Sequence, residues 1–281
     1  LQDAHSWMGP SGTTHWLGIL NSDWRQIGFS DGTGHAVDKR GHRFVYSTSS
    51  GGNITRVDAE TGDRHEIQPV APTGESYRYD WTAPIVASTH TAGTVYLGAN
   101  KLLISKDFGS TWTATPDLTR QVNRDTLRIG GVATTDIRIS RNDGESNFSE
   151  ISAFAESPVD KLVLWVGSDD GNVQLSQDGG KTWRELSASI TGVENGSFVD
   201  RIVASSASRG TAYVTFDRHR SGDFKPYVFR TSDFGSTWTA VTSGMPSDAP
   251  VRSIVEYPGK PGVLFAGTER HVYFTTDAGA N

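Results

Sequence analysis

Two adjacent acids, Asp169 and Asp170, stand in the stretch GSDDG, between an apolar run and a glycine. Further along, Asp217, Arg218, His219 and Arg220 follow another apolar run directly. Asp3 in LQD, Asp80 beside Trp81 in YDW, and Glu269 in GTER occupy comparable places at the ends of short apolar segments. Carboxyl groups brought together at strand ends can do one familiar kind of chemistry. Glycoside hydrolysis uses two of them, about 5–9.5 Å apart, one carrying a proton and one ionised. An exposed tryptophan nearby would stack on a sugar ring. Each feature also has a plainer reading. Asp and Gly are favoured in any turn between strands, a charged loop can pair with itself, and Trp81 or Tyr79 can be buried between sheets. The candidate ligand-binding set is Asp3, Asp80, Trp81, Asp169, Asp170, Asp217, His219, Arg220 and Glu269.

Other chemistries have less support. There are no cysteines, which excludes disulfides and thiolate-held zinc, and the eight histidines are scattered without ligand spacing. SDDGN falls short of a calcium loop. No glycine-rich turn opens a helix, so neither a phosphate loop nor a nucleophile elbow is expected. No cofactor or metal is therefore expected. A net charge of −6 without a Lys/Arg cluster argues against nucleic acid as a partner, and no apolar run is long enough for a membrane helix.

The elements that must position these residues are announced by repetition. SKDFGSTW begins at 105, SQDGGKTW at 176, TSDFGSTW at 231, and TTDAGAN at 275. Ahead of each copy come short runs rich in β-branched and aromatic residues, such as APIVAS, ISAFAESP, DRIVAS and RSIVEYP, broken by Gly, Asn or Asp. The unit reads as a four-stranded meander. The copies are 71, 55 and 44 residues apart, and the shortest spacing matches the roughly 40–50 residues of a propeller blade. Insertions account for the rest: a polar stretch over 115–150, expected as a long loop over one face, and a shorter one around DRHRSGDFK. The shared pattern is Ser/Thr-x-Asp-x-Gly-x-x-Trp. Asp107, Asp178, Asp233 and Asp277 accept backbone N–H groups in a tight turn. Gly109, Gly180, Gly235 and Gly279 supply its positive φ. Trp112, Trp183 and Trp238 start the return strand and fill the space between blades.

This pattern resembles the Asp-box, or bacterial neuraminidase repeat, found in sialidases, xyloglucan-degrading hydrolases and the sortilin family. With RYDWTAPIVASTH, YLGANKLLISKDFGSTW, PDLTR and LQDAHSWMGP, the chain resembles exported bacterial sortilin-like or glycosyl-hydrolase-type repeat proteins over almost its whole length. The resemblance implies an all-β propeller of four-stranded antiparallel blades, with five to six blades present of a larger ring. It also implies an exported, bacterial location: periplasmic, cell-surface or extracellular. A sialidase is not expected, because the Phe/Tyr-Arg-Ile-Pro signature is missing and its nearest text is Arg201-Ile202-Val203.

The expected organisation is a partial blade over 1–32 and blades over 33–75, 80–150, 151–197 and 198–248, with a second partial blade over 249–281. The favoured functional reading is a binding or scaffold module for protein, peptide or saccharide ligands. The alternative is a glycoside hydrolase using a pair of carboxylates at the propeller axis. In either case an incomplete ring exposes sheet faces that the remainder of a larger propeller, in the same polypeptide or another chain, would have to cover.

Overall fold

Runs of β-branched and aromatic residues punctuated by glycine turns fold into a series of small antiparallel sheets. A computed structural model describes residues 3–129, 131–137 and 147–280. Blade I is the pair Ser6–Met8 and Arg25–Gly28. Blade II takes Gly32–Val37, Phe44–Ser49, Asn53–Asp58 and Arg64–Glu66; blade III takes Ile85–Ala87, Val95–Gly98, Lys101–Ser105 and Thr113–Asp117. Blade IV is built from Ile151–Glu156, Leu164–Ser168, Val173–Ser176 and Arg184–Glu185, and blade V from Phe198–Ala204, Ala212–Asp217, Tyr227–Thr231 and Thr239–Ala240. Blade VI has three strands, Val251–Glu256, Leu264–Thr268 and Val272–Thr275. Every blade is a simple meander in chain order, and the first strands of blades II to VI pack on one another in succession. That arrangement is the propeller the repeats imply.

The core is a set of layers between blades rather than one centre. Ile27 of blade I meets Val45 and Val57 of blade II, and Tyr46 and Ile54 of blade II meet Val95 and Leu97 of blade III. Tyr96 and Leu102 meet Phe154 and Leu164, Trp165 and Leu175 meet Val214 and Phe229, and Tyr213 and Val228 meet Ile254 and Leu264. Middle strands therefore read as unbroken apolar runs, because a neighbouring blade covers each face. Leu164–Ser168 is buried at every position, whereas the outer strand Arg184–Glu185 is exposed. A fully enclosed side chain such as Trp165 contributes about 1.5–3 kcal/mol or more through its burial.

The repeated turns staple each third strand to its fourth. The hydroxyls of Ser105, Ser176 and Thr231 each donate to the carboxylate two residues on at 2.8 Å and accept the glycine N–H four residues on at 2.8–2.9 Å. Asp107, Asp178 and Asp233 in turn accept from the backbone and hydroxyl of Thr111, Thr182 and Thr237. Thr275, Asp277 and Gly279 begin the same arrangement in blade VI. The residue before each glycine is left-handed as well: Phe108, Gly179, Phe234 and Ala278 all have φ between 59° and 75°. Its N–H docks on the turn between the first two strands of the same blade, as with Phe234 on the Gly210 carbonyl at 2.9 Å. Trp112 reaches back to blade II, donating to the Ile67 carbonyl at 2.9 Å. Trp238 stands edge-on to Trp165 of blade IV, 6.2 Å between centroids.

Two expectations need correction. The insertion begins after Asp117 rather than at 115, because Thr115 belongs to the fourth strand and its hydroxyl accepts the Leu102 N–H at 3.0 Å. Residues 130 and 138–146 of that insertion lie outside the described residues. Trp81 is 42% exposed and is not buried between blades; Tyr79 is buried instead, against Gly52. The outer face of blade VI also differs from its counterpart. Val272 and Phe274 hold the registers of the buried Val173 and Leu175 of blade IV, yet are 71% and 69% exposed.

Candidate functional site

The first strands carry one irregularity again and again. Their pairing with the second strand shifts register at Thr33, Ser152, Asp200 and Arg252, each the residue skipped between two paired neighbours. A bulge of this kind re-aims a side chain, and here it recurs where the first strands converge. In blade IV the bulged Ser152 donates to the Val199 carbonyl at 2.6 Å and ties two blades together. In blades V and VI the same place holds Asp200 and Arg252.

Asp200 lines a cavity of about 500 Å³ together with Asp169, Asp217, Arg218, His219 and Arg220. The insertion supplies a wall, through Arg124, Leu127, Arg128 and Phe148, and Glu194 to Phe198 close the remaining side. The volume falls within the range of small-ligand sites. Four carboxyls thus share one space, Asp169 of blade IV, Asp200 and Asp217 of blade V and Glu194 between them, and the surroundings of the three aspartates pull their proton affinities apart.

Burial dominates at Asp200. It pushes the carboxyl up to about 6, helped by the charges of Asp217 and Asp80 and opposed by Arg201 and Arg252. Its Oδ2 is buried without a hydrogen-bond partner. Asp169 is also raised well above the usual range by burial and by Asp170, Glu150 and Asp80, although its Oδ1 accepts the Glu150 N–H at 2.7 Å. Asp217 goes the other way. Burial raises it, but the His219 N–H at 3.0 Å, the Arg252 charge and the His219 ring outweigh that and hold it below the usual carboxylate range. His219 Nδ1 lies 2.5 Å from Asp217 Oδ2, and the same oxygen accepts from Arg252. Arg252 continues to Glu269 at 2.7 Å.

The pair in GSDDG is split by the structure. Asp170 is a structural carboxylate: it accepts the Ser168 hydroxyl at 2.5 Å and the Arg120 N–H at 2.8 Å, and so pins the start of the insertion. Asp169 is the one that lines the cavity. Asp80 is spent on its own turn, accepting the Thr82 N–H and hydroxyl at 2.8 and 2.9 Å, and reaches the site only through its charge. Glu269 and Trp81 are not among the residues lining the cavity. Asp3 is exposed in the turn ahead of blade I, and its N–H donates to Asp31 at 2.8 Å. Residues 217 to 220 all line the cavity; Asp217 pairs with His219 inside the stretch, while Arg218 is ion-paired outside it, to Glu194 and Asp223. Among the described residues, no group of three or more potential ligands is placed to hold a metal ion. Among the described residues no helix is long and apolar enough to cross a membrane.

Sequence reasoning missed Asp200. Its signal was present in SFVDRIVAS, where a charged pair interrupts an otherwise apolar strand, and an acid inside such a run marks a residue turned out of the sheet.

No family model matches the chain. It is 22% identical over 222 residues to the oligoxyloglucan-reducing end-specific xyloglucanase of Emericella nidulans, a match covering 69% of this chain and 24% of that protein. In structure it resembles a GH74 enzyme from Niastella koreensis, with a TM-score of 0.61 and 17% identity. The GH74 xyloglucanase of Xanthomonas campestris follows, at 0.60 and 16%. Each structural match covers 89% of this chain and 37% of the other. The likeness establishes a β-propeller fold, and the chain spans only about a quarter to somewhat over a third of the length of these relatives.

Proposed function

We propose that this chain is part of a carbohydrate-active β-propeller and contributes an acid and an ionised carboxylate to glycoside hydrolysis. The observation that carries the reading is the divergence of Asp200 and Asp217 within one cavity. Carboxyls whose environments push their affinities for protons apart are the usual way to assign acid and counter-charge. Asp200, protonated below about pH 6, protonates the leaving glycosidic oxygen. Asp217 stays ionised in the same cavity, orients His219 at its wall, and offsets the positive charge that develops on the sugar ring; water then bonds to the anomeric carbon as the glycosidic bond breaks, and its released proton restores the Asp200 acid. The resemblance to xyloglucanases supports this reading over that of a pure binding scaffold, and makes a β-glucan backbone the first substrate to try.

The exposed outer face of blade VI, with Val255, Val272 and Phe274 in the open, fits a further blade packed on it. The active protein is then a larger ring, and an exported setting suits action on polysaccharide.

The test is turnover. Release of reducing ends from xyloglucan oligosaccharides and unsubstituted β-glucans is measured between pH 4 and 7, in the parent protein and in Asp200→Asn and Asp217→Asn. Hydrolysis lost in both variants is the expected result. No release from any glucan by the parent protein, or undiminished release by both variants, would return the chain to the binding-module reading.

A further inference from the structure

The Asp217 carboxylate has no oxygen left over for a reacting molecule. Its Oδ1 accepts the His219 N–H at 3.0 Å, and its Oδ2 takes both the Arg252 guanidinium and His219 Nδ1, the latter at 2.5 Å. The Asp217 side chain is 8% exposed, whereas that of His219 is 39% exposed and lines the cavity. What Asp217 offers a substrate therefore passes through the imidazole.

The tautomer of that imidazole follows from its contacts. A carboxylate oxygen only accepts, so a lone pair on Nδ1 at 2.5 Å would face another lone pair; Nδ1 carries the hydrogen. Arg252 Nη1 lies 3.4 Å from Nδ1, but it is a donor and is spent on the same Oδ2. Nε2 is left with the lone pair, and it has no hydrogen-bond partner among the described residues. A neutral imidazole with a carboxylate behind one nitrogen and a free lone pair on the other is equipped to act as a general base near neutral pH.

We propose that His219 is a further catalytic residue, the base that activates water. Its Nε2 takes a proton from the water as the water oxygen bonds to the anomeric carbon, while the glycosidic bond breaks and Asp200 gives its proton to the leaving oxygen. The imidazolium then releases its proton to solvent and Asp200 regains one, so each cycle consumes one water and leaves both groups as they began. Proton uptake at Nε2 is favoured by the Asp217 carboxylate and by Asp169, Asp200 and Glu194 of the same lining when these are ionised. It is opposed by Arg252 of blade VI, by the neighbouring Arg218 and Arg220, and by Arg128, whose strand Arg128–Ile129 packs on the turn His219–Ser221. The inference rests on the reading of the cavity as a hydrolase site, and deepens it by naming the group that acts on water.

The leaving group separates base from acid. Fluoride departs from an anomeric carbon with little help from an acid, so hydrolysis of a β-configured oligoglucosyl fluoride needs the base and bypasses Asp200. Turnover of that fluoride and of the glucan oligosaccharides is measured in the parent protein, Asp200→Asn, His219→Gln and His219→Ala, with circular dichroism as the check on folding. Asp200→Asn should lose glucan hydrolysis and keep fluoride hydrolysis within about tenfold. Both His219 variants should lose about 10²-fold or more in kcat on both substrates with KM within about threefold, and added imidazole should restore part of the loss in His219→Ala. A second measurement keeps His219 in place: the fluoride rate of Asp200→Asn should rise with pH through a single ionisation, as a base must lose its proton to work. Fluoride hydrolysis that survives in both His219 variants, or that is independent of pH between about 5 and 8 in Asp200→Asn, would overturn the proposal and leave the hydrolase reading standing. No turnover of either substrate by the parent protein would overturn the hydrolase reading, and this inference with it.

Discussion

Asp178 and Asp200 are the same residue in opposite circumstances. Asp178 sits at the rim of blade IV, where the Thr182 hydroxyl and N–H, the Ser176 hydroxyl and the Lys181 N–H all donate to it and hold its pKa well below the ordinary value. Asp200 sits at the convergence of the first strands, with a buried oxygen that nothing donates to, and its pKa rises to about 6. The first carboxylate is consumed by structure. The second is destabilised by structure, and such strain is tolerated where it serves a site. Position in the repeat tells them apart. The rim position is an acid every time, at Asp107, Asp178, Asp233 and Asp277. The bulge position varies from Thr33 to Ser152, Asp200 and Arg252. What a repeat keeps builds the blade, and what it varies is free for chemistry.

The largest expected effect breaks this comparison in half. Asp200→Asn should lower hydrolysis by about 10²–10⁴-fold, the range for losing a general acid, while the protein stays folded. Asp178→Asn should leave turnover per folded molecule within about twofold and lower the melting temperature instead. Equal loss of activity in both, scored against folded protein, would mean the rim and axial acids do not divide the work.

The next effect concerns the turn alone. Gly235 has φ of 77°, and a Cβ there would stand 2.5 Å from Leu186 Cδ1. Gly235→Ala thus combines a left-handed alanine, at about 1 kcal/mol, with overpacking at about 1–3 kcal/mol. Gly244, with φ of 75°, has nothing within 4 Å of the same atom, so Gly244→Ala should show only the first part. Denaturant titration of the two variants separates backbone from packing; equal losses would put the whole cost in the backbone.

The blade plan was legible because it is written several times. The turn hydroxyl, carboxylate, glycine and tryptophan each recur, and so does the threonine before the tryptophan, whose part in holding the carboxylate becomes plain only with Thr111, Thr182 and Thr237 in place. The site was legible only in pieces. Asp169, Asp217, His219 and Arg220 could be named from strand ends, but Asp170 and Asp80 look the same in sequence and are spent on turns. Convergence is a long-range property: Asp200 comes to line the same cavity as Asp169 through the packing of blade V on blade IV, and the insertion, with little periodicity, brings Arg128 to its wall. Asp200 also depends on a bulge, and a one-residue register shift leaves no local signature beyond a misplaced charge.

The smallest effect is on stability, and it carries a sign that distinguishes the two acids. Asp200 holds its proton more tightly in the fold than in the unfolded chain. Between the ordinary value of 3.8 and about 6 the native state therefore binds more protons, and stability falls as pH rises through that window. Asp178 is the opposite case, since its contribution is present above the ordinary value and is lost as pH falls below it. In Asp200→Asn the penalty has no proton to follow. Relative to the parent, the variant should gain on the order of 2 kcal/mol between pH 4 and pH 7, and its gain should be flat beyond. A variant that loses activity while gaining stability with pH would identify a group the fold holds at a cost. A pH-independent difference would mean that Asp200 is ionised throughout, and the acid in the cavity would have to be Asp169.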